Sequence, residues 1–246
     1  MKRAFDIVAS ALGLMLLSPL LAVVAVAIYL QDYHSPLYVA TRVGKGERPF
    51  RMVKFRSMVV RADASGVDST AGDDPRITQL GTFIRRFKLD EIPQLWNVFL
   101  GEMSLVGPRP NVERETRLYT TEEKRLLTVS PGITDLASIV FADESDILRG
   151  SEDPDLRYNQ VIRPWKSRLG LLYVDGPRSV RLDLRILWLT AMSAIDRSAA
   201  LAGVRRAARS LGAYETLLEV IPRTSPLVSA APPGATEIVS NRAIVA

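Results

Sequence analysis

Asp90 and Glu91 stand side by side in the segment Lys88-Leu89-Asp90-Glu91-Ile92-Pro93-Gln94-Leu95-Trp96-Asn97-Val98. Arg85 and Arg86 precede them closely, and Arg109 follows in Gly107-Pro108-Arg109-Pro110. An ionised carboxylate can attack a phosphoryl group and form an acyl phosphate, provided that cations screen the repulsion between the two anions. Arg85, Arg86, Arg109 and the more distant Lys54 are the available screens. An isolated Asp often does no more than cap a helix, but capping leaves the cation cluster and the proline-flanked Arg109 without a reason. The chain has no Cys and one His, His34. That sets aside thiolate and His-cluster metal sites and a His general base. Any metal would be a hard cation on oxygen ligands, Mg²⁺ first and Mn²⁺ next, with Asp90 and Glu91 as its carboxylates.

The elements that must position these residues follow from periodicity. Leu89, Ile92, Leu95, Trp96 and Phe99 recur at helical spacing and make one apolar face; Asp90, Gln94 and Asn97 share the other. Pro93 fits a first turn, so the helix is expected to start near Asp90, where the positive end of its dipole keeps both acids ionised and can receive a phosphate. Residues 77–88 read as a basic helix. Residues 36–43 and 50–60 alternate like two short strands joined by Gly44-Lys45-Gly46, a turn and not a dinucleotide fingerprint, since the third glycine is missing.

Residues 61–76 read as a polar loop, 112–128 as a charged exposed helix, and 143–157 as an acidic loop. The last contains Asp153-Pro154-Asp155, a D-x-D pattern that some metal-dependent glycosyltransferases use. Residues 182–195 are amphipathic and too short to span a bilayer, which fits a helix at a membrane interface or in the core. Residues 201–221 form a basic amphipathic helix with Arg205, Arg206 and Arg209, and the Pro-rich stretch 222–246 reads as a disordered tail.

The 246 residues carry a net charge of +5, and the basic excess gathers in residues 1–60. Nucleic acid is the weakest partner for that charge, because no nucleic-acid motif is present and the neighbouring segment is lipid-like. Ile7 to Leu30 is a run of 24 residues without a charge, long enough for the ~20 apolar residues of a membrane span. Its length and the poor cleavage site at Tyr29-Leu30-Gln31-Asp32 argue against a removed signal peptide. Ser18-Pro19 interrupts the middle of the run, and Lys2-Arg3 before it match Arg42, Lys45 and Arg48 after it. The positive-inside rule places both ends in the cytoplasm, which a helix–break–helix entering and leaving one leaflet satisfies. The Ser18 hydroxyl is a candidate partner for the carbonyl that Pro19 frees.

Several ordered motifs together resemble the bacterial sugar transferase family, the monotopic phosphoglycosyl transferases. They are the Ser18-Pro19 break, Lys54-Phe55-Arg56-Ser57-Met58, Arg85 ahead of the acid pair, Leu89 to Asn97, Gly101 to Pro110, and Pro131-Gly132-Ile133-Thr134. The resemblance runs from about residue 2 to 195. It implies a mainly helical α+β monotopic membrane protein with a re-entrant helix (1–33), a cytoplasmic-face catalytic domain (34–200), a short β-hairpin and interfacial helices, in the bacterial inner membrane.

The family transfers a phospho-sugar from a nucleotide sugar, UDP-linked as expected here, to polyprenol phosphate, releasing a nucleoside monophosphate, with Mg²⁺. Asp90 would be the nucleophile and Glu91 its assistant. Lys54, Arg56, Arg85, Arg86, Gln94, Asn97 and Arg109 would bind substrate. Asp135 and Ser138 depart from the Gly and Gln that many members carry. Two alternatives stand beside this reading: a non-catalytic scaffold for polysaccharide assembly, and a glycosyltransferase using Asp153 and Asp155. The sugar and any homo-oligomer are left open.

Overall fold

The computed structural model describes residues 1–67 and 69–240. Helix α1 (Lys2–Asp32) takes up the whole apolar run. It is one continuous helix through Pro19, not two helices with a break. Proline cannot donate to the carbonyl four residues back, and the Ser18 hydroxyl donates to that Met15 carbonyl instead, at 2.8 Å.

Both ends of α1 are fastened to the same body. At its start, Lys2 pairs with Asp183 at 2.5 Å, Arg3 donates to the Val98 and Phe99 carbonyls, and the buried Asp6 accepts from the Ser104 hydroxyl at 2.9 Å. At its end, Asp32 takes both Nη atoms of Arg56 at 2.6 Å each. Between the two anchorages one side of the helix is exposed: Leu16 is 72% exposed and Val23 67%.

The expected hairpin forms from β1 (Leu37–Val43) and β2 (Pro49–Phe55), antiparallel, with Leu37 opposite Phe55 and Val43 opposite Pro49. Gly46 and Glu47 both take the left-handed region in the connection, which glycine adopts without strain. Helix α2 (Gln79–Arg86) starts on a Thr78 cap whose hydroxyl accepts from Gly81 N. The sequence puts the next helix start near Asp90, but α3 runs from Gln94 to Leu100, with Pro93 at its N-cap. Leu89–Glu91 form a separate 3₁₀ turn, reached through Lys88 in the left-handed region (φ 57°). That backbone reversal separates the acid pair from α2, while Ile92 and Pro93, both helical in φ and ψ, lead from the turn into α3.

A second, parallel strand pair is not visible as alternation: β3 (Ser104–Val106) lies beside β4 (Gly132–Thr134). Gly107 and Gly132 meet back to back here. A Cβ on Gly132 would lie 2.1 Å from Gly107 N, so only glycine lets the two chains approach. The stretch read as an exposed helix breaks into α4 (Glu113–Thr116) and a 3₁₀ segment (Glu123–Thr128), with Glu115 and Glu123 buried. Helix α5 (Leu136–Val140) follows β4 directly. The acidic loop contains α6 (Glu144–Ile147) and α7 (Pro154–Arg157).

The core helix α8 (Arg163–Asp175) follows a π-helical turn at Tyr158–Ile162. Helix α9 (Val180–Ser193) buries Ile186 and Leu189 and exposes Leu184 and Trp188. The single helix expected over 201–221 is two, α10 (Arg197–Ser210) and α11 (Glu215–Val220), divided where Gly212 turns left-handed. The main core joins β2, α3, β3, α5, α8, α9, α10 and α11 around Leu136, Ile162, Leu169 and Ile186. A smaller cluster seats Val24 and Ile28 of α1 on Phe55 and Ile84. Residues 222–240 differ from the expected free tail. They have no regular structure but are hydrogen-bonded to the body, for example Thr120 Oγ1 to the Pro233 carbonyl and Ala230 N to the Gln160 carbonyl at 2.9 Å. Residues 241–246 lie outside the described residues.

Candidate active site

Three elements bring the charged groups together. The 3₁₀ turn presents Asp90 and Glu91, β2 presents Lys54, and the loop after β3 presents Arg109. Glu91 Oε1 accepts from Arg109 Nη2 at 2.5 Å and lies 3.6 Å from Lys54 Nζ. The alignment of β2 with α3 is made by Asn97. Its side chain accepts from Val53 N at 3.0 Å and donates to the Arg51 carbonyl at 2.7 Å and to Glu102 at 2.6 Å. Arg109 follows β3, which pairs with β4 through Ser104 opposite Gly132 and Val106 opposite Thr134, with Gly107 packed on Gly132.

Asp90 is 8% exposed, and its Oδ1 is buried without a hydrogen-bond partner. One turn on, Gln94 is also buried and its Nε2 lacks a partner. Buried polar groups are nearly always paired, so an acceptor and a donor left open together mark a place for a group from outside the chain. Among the described residues no three His, Cys, Asp or Glu side chains cluster to hold a metal by themselves. The open Asp90 oxygen still fits a cation of the Mg²⁺ type, which commonly takes one or two carboxylates and completes its shell with substrate phosphates and water.

The two acids are unequal. Burial, and then the Glu91 charge, raise the Asp90 carboxyl above the usual carboxylate range. Burial would raise Glu91 too, but Arg109 and Lys54 outweigh it and hold that carboxyl far below its usual range. The same burial, helped by Arg109, pushes Lys54 down to about 8. The expectation that a helix end keeps both acids ionised is thus corrected. The acids sit ahead of α3, and desolvation governs Asp90. Neighbouring carboxylates driven apart in this way divide into an anchored anion and a group poised to change state.

The other expected substrate residues are spread around this centre. Arg85 is half-buried, and its charge acts on Asp90. Arg86 is exposed and lies over the Phe87 ring, 5.8 Å from its centroid. Arg56 is not brought to the acids, because its guanidinium is committed to Asp32 and the Ser35 carbonyl. Asp153 caps α7 by accepting from Leu156 N, and the buried Asp155 accepts from Ser69 N at 2.7 Å, so both acids of the D-x-D pattern hold backbone amides. Asp135 caps α5, accepting from Ser138 N at 2.6 Å, which accounts for that pair of residues as a local cap.

Motif and spacing do not single out Lys88, whose charge acts on both acids; its place next to them is the one signal it leaves in the sequence. Nor do they reveal the ion pair between Glu144 on α6 and Lys166 on α8, whose charges reach Arg109 and Asp135 respectively. Nothing local marks that pair, because its partners come from segments 22 residues apart.

Helix α3 buries the polar Gln94 and Asn97 along with Val98, whereas Trp96 is 48% exposed and stacks on the exposed Phe99. Phe83 and Phe87 of the α2 region form a second exposed aromatic pair, with ring centroids 4.8 Å apart.

With this geometry in place, comparison with known proteins is decisive. A family model described as bacterial sugar transferase matches residues 1–197. The chain belongs to that family. The transferase is 38% identical over 207 residues to an exopolysaccharide production protein of Rhizobium leguminosarum bv. phaseoli, covering 80% of this chain and 96% of that one. It is 36% identical over 207 residues to the UDP-glucose:undecaprenyl-phosphate glucose-1-phosphate transferase of Escherichia coli (strain K12), covering 81% of this chain. It is also 36% identical over 173 residues to the UDP-N-acetylgalactosamine-undecaprenyl-phosphate N-acetylgalactosaminephosphotransferase of Aeromonas hydrophila, covering 67% of this chain. The matches span 41% and 40% of the last two relatives' length.

Proposed function

We propose that this transferase moves a sugar 1-phosphate from a UDP-sugar to undecaprenyl phosphate and releases UMP, as an early membrane step of surface-glycan synthesis. The observation that carries the reading is the buried, open carboxylate oxygen of Asp90 beside Glu91, Arg109 and Lys54, in a chain whose relatives bear those substrate names. In the first step an Asp90 carboxylate oxygen attacks the sugar-bearing phosphorus. The bond from that phosphorus to UMP breaks, and UMP leaves with the electron pair. In the second step a phosphate oxygen of the lipid attacks the same phosphorus, and the Asp90–phosphorus bond breaks, restoring the carboxylate.

Arg109 and Lys54 neutralise the anionic partners, and Glu91 holds both cations in place. A Mg²⁺ or Mn²⁺ ion held by Asp90, with Glu91 near it, would supply further screening of the diphosphate. The relatives' names include both glucose and N-acetylgalactosamine, so the sugar is open on this comparison.

The lipid substrate accords with a monotopic arrangement at the cytoplasmic face of the inner membrane. A straight helix of 31 residues is about 46 Å long and would carry its ends to opposite sides of a bilayer. Here Arg3 and Asp32 are both tied to one body, while the exposed leucines and valines lie between them. The exposed Trp96, Phe99, Phe83 and Phe87 suit the headgroup region.

Two measurements test the reading. Incubation with a panel of UDP-sugars and undecaprenyl phosphate is expected to release UMP; release of UDP would refute phospho-sugar transfer. The chain has no Cys of its own, so cysteines introduced at Lys2 and Lys45 are expected to label from the cytoplasmic side only. Periplasmic labelling of either would overturn the topology.

A further inference from the structure

The family match ends at residue 197, yet the chain beyond it is fastened to the body that carries the active site. After α11 the backbone turns at Arg223, which adopts the left-handed region (φ 56°) and sends the chain back over α8. The Arg223 guanidinium pairs with Asp143 at 3.4 Å and lies over the Phe141 ring, 5.5 Å from its centroid. Further on, Trp165 Nε1 donates to the Val228 carbonyl at 3.5 Å and Arg168 Nη2 to the Ala231 carbonyl at 2.9 Å. Gln160 Nε2 donates to the Val239 carbonyl at 2.8 Å.

These fastenings converge on one ion pair. Asp143 immediately precedes Glu144, and Trp165 and Arg168 flank Lys166. Glu144 and Lys166 meet in an ion pair, and the Lys166 ammonium lies 5.4 Å from the Tyr158 ring centroid. The Glu144 carboxylate acts in turn on Arg109. Simple stabilisation is a poor account of Arg223, because its Nε and Nη1 are buried without hydrogen-bond partners, an arrangement that costs stability.

We propose that the segment Arg223–Val239 is a positioning strap. It sets the Glu144–Lys166 pair from outside, and the pair fixes how Arg109 meets the diphosphate of the nucleotide sugar. The link to substrate rests on the transferase reading given above; the mechanical link does not.

The test uses the full-length chain and the substitutions Arg223→Ala, Arg223→Lys and Arg168→Ala. Backbone amide exchange over residues 141–148 and 163–170 is expected to quicken ~10-fold in Arg223→Ala and Arg168→Ala, a coupling of ordinary size, with residues 94–106 unchanged. Unchanged exchange in both variants overturns the strap. In UMP release, Arg223→Ala is expected to raise the KM for the UDP-sugar ~10-fold and leave the KM for undecaprenyl phosphate alone, with Arg223→Lys restoring the wild-type value. An unaltered KM, or a fall in kcat that merely tracks a fall in Tm, overturns the role at the site. If the wild-type chain releases no UMP, the transferase reading and the Arg109 link fall together, while the exchange measurement still decides the strap.

Discussion

Asp90→Asn is expected to lower UMP release at least ~10³-fold, the scale set by removing a covalent nucleophile, while leaving the folded chain more stable than the wild type. The amide keeps the shape of the side chain but cannot form the acyl phosphate. The stability gain follows from burial. The Asp90 carboxyl is pushed above its ordinary value by desolvation and then by Glu91, so the folded state binds its proton more tightly than the unfolded chain does. Such a group contributes stability that is fully present below the unfolded carboxylate range and is lost as pH rises through the raised folded value. At neutral pH the wild type therefore carries the cost of a buried anion, and Asn removes it.

Two readings check this together. UMP release should vanish, and a thermal melt in detergent with a chelator present, so that no cation compensates Asp90, should show a higher Tm at neutral pH. The gap between the two melts should close as pH falls. Wild-type activity should rise with pH through the raised Asp90 value and decline above about 8, where the buried Lys54 loses its proton. An active Asp90→Asn protein would sink the nucleophile assignment.

Arg163→Met is expected to destabilise the chain by ~3–5 kcal/mol, the cost of leaving a buried charge without its partner. Arg163 and Glu123 have side chains 2% and 0% exposed. Arg163 Nε donates to Glu123 at 3.0 Å, Nη1 to Asn159 at 2.8 Å and Nη2 to the Leu118 carbonyl, and the guanidinium lies over Tyr119, 5.3 Å from the ring centroid. The Ser167 hydroxyl donates to the same Glu123 carboxylate at 2.6 Å. This network locks the start of α8, and with it the helix that carries Lys166. Removing only the cation strands Glu123. Removing both charges, as in Glu123→Leu with Arg163→Met, should recover much of the loss, because paired buried charges can often be replaced by apolar groups at little net cost. Denaturant unfolding of the single and double variants measures both effects; a single variant within ~0.5 kcal/mol of wild type would show that the pair is not sealed from water.

Much of the fold is legible where a short-range rule operates. The hairpin over 37–55 follows from alternation around Gly44-Lys45-Gly46, and the helical character of α1 from its charge-free apolar run, although the break expected at Ser18-Pro19 does not divide it. The Ser18 contact follows from proline chemistry. Short-range rules mislead where a side chain's partner is distant in sequence. Residues 112–128 look solvated because Glu115 and Glu123 are charged, but Arg163, 40 residues on, buries Glu123. Asn97 reads in the sequence as a substrate residue, and nothing local shows that its side chain ties α3 to β2. The segment 222–240 looks like a free tail because its composition cannot form a core, but its backbone is held by Gln160, Arg168 and Thr120.

For the active site, the sequence by itself determined which chemistry was open. With no Cys and one His, a carboxylate nucleophile among arginines and lysines was the simplest phosphoryl chemistry left. Residue types and local spacing suffice for that, because they set which bonds can form. Only the tertiary structure makes the two acids physically unequal. Asp90 and Glu91 are chemically near-equivalent neighbours in the chain. Desolvation on one side and Arg109 with Lys54 on the other move their proton affinities in opposite directions. That difference comes from burial and charge at a few ångströms, across strands and loops that meet only once the chain has folded.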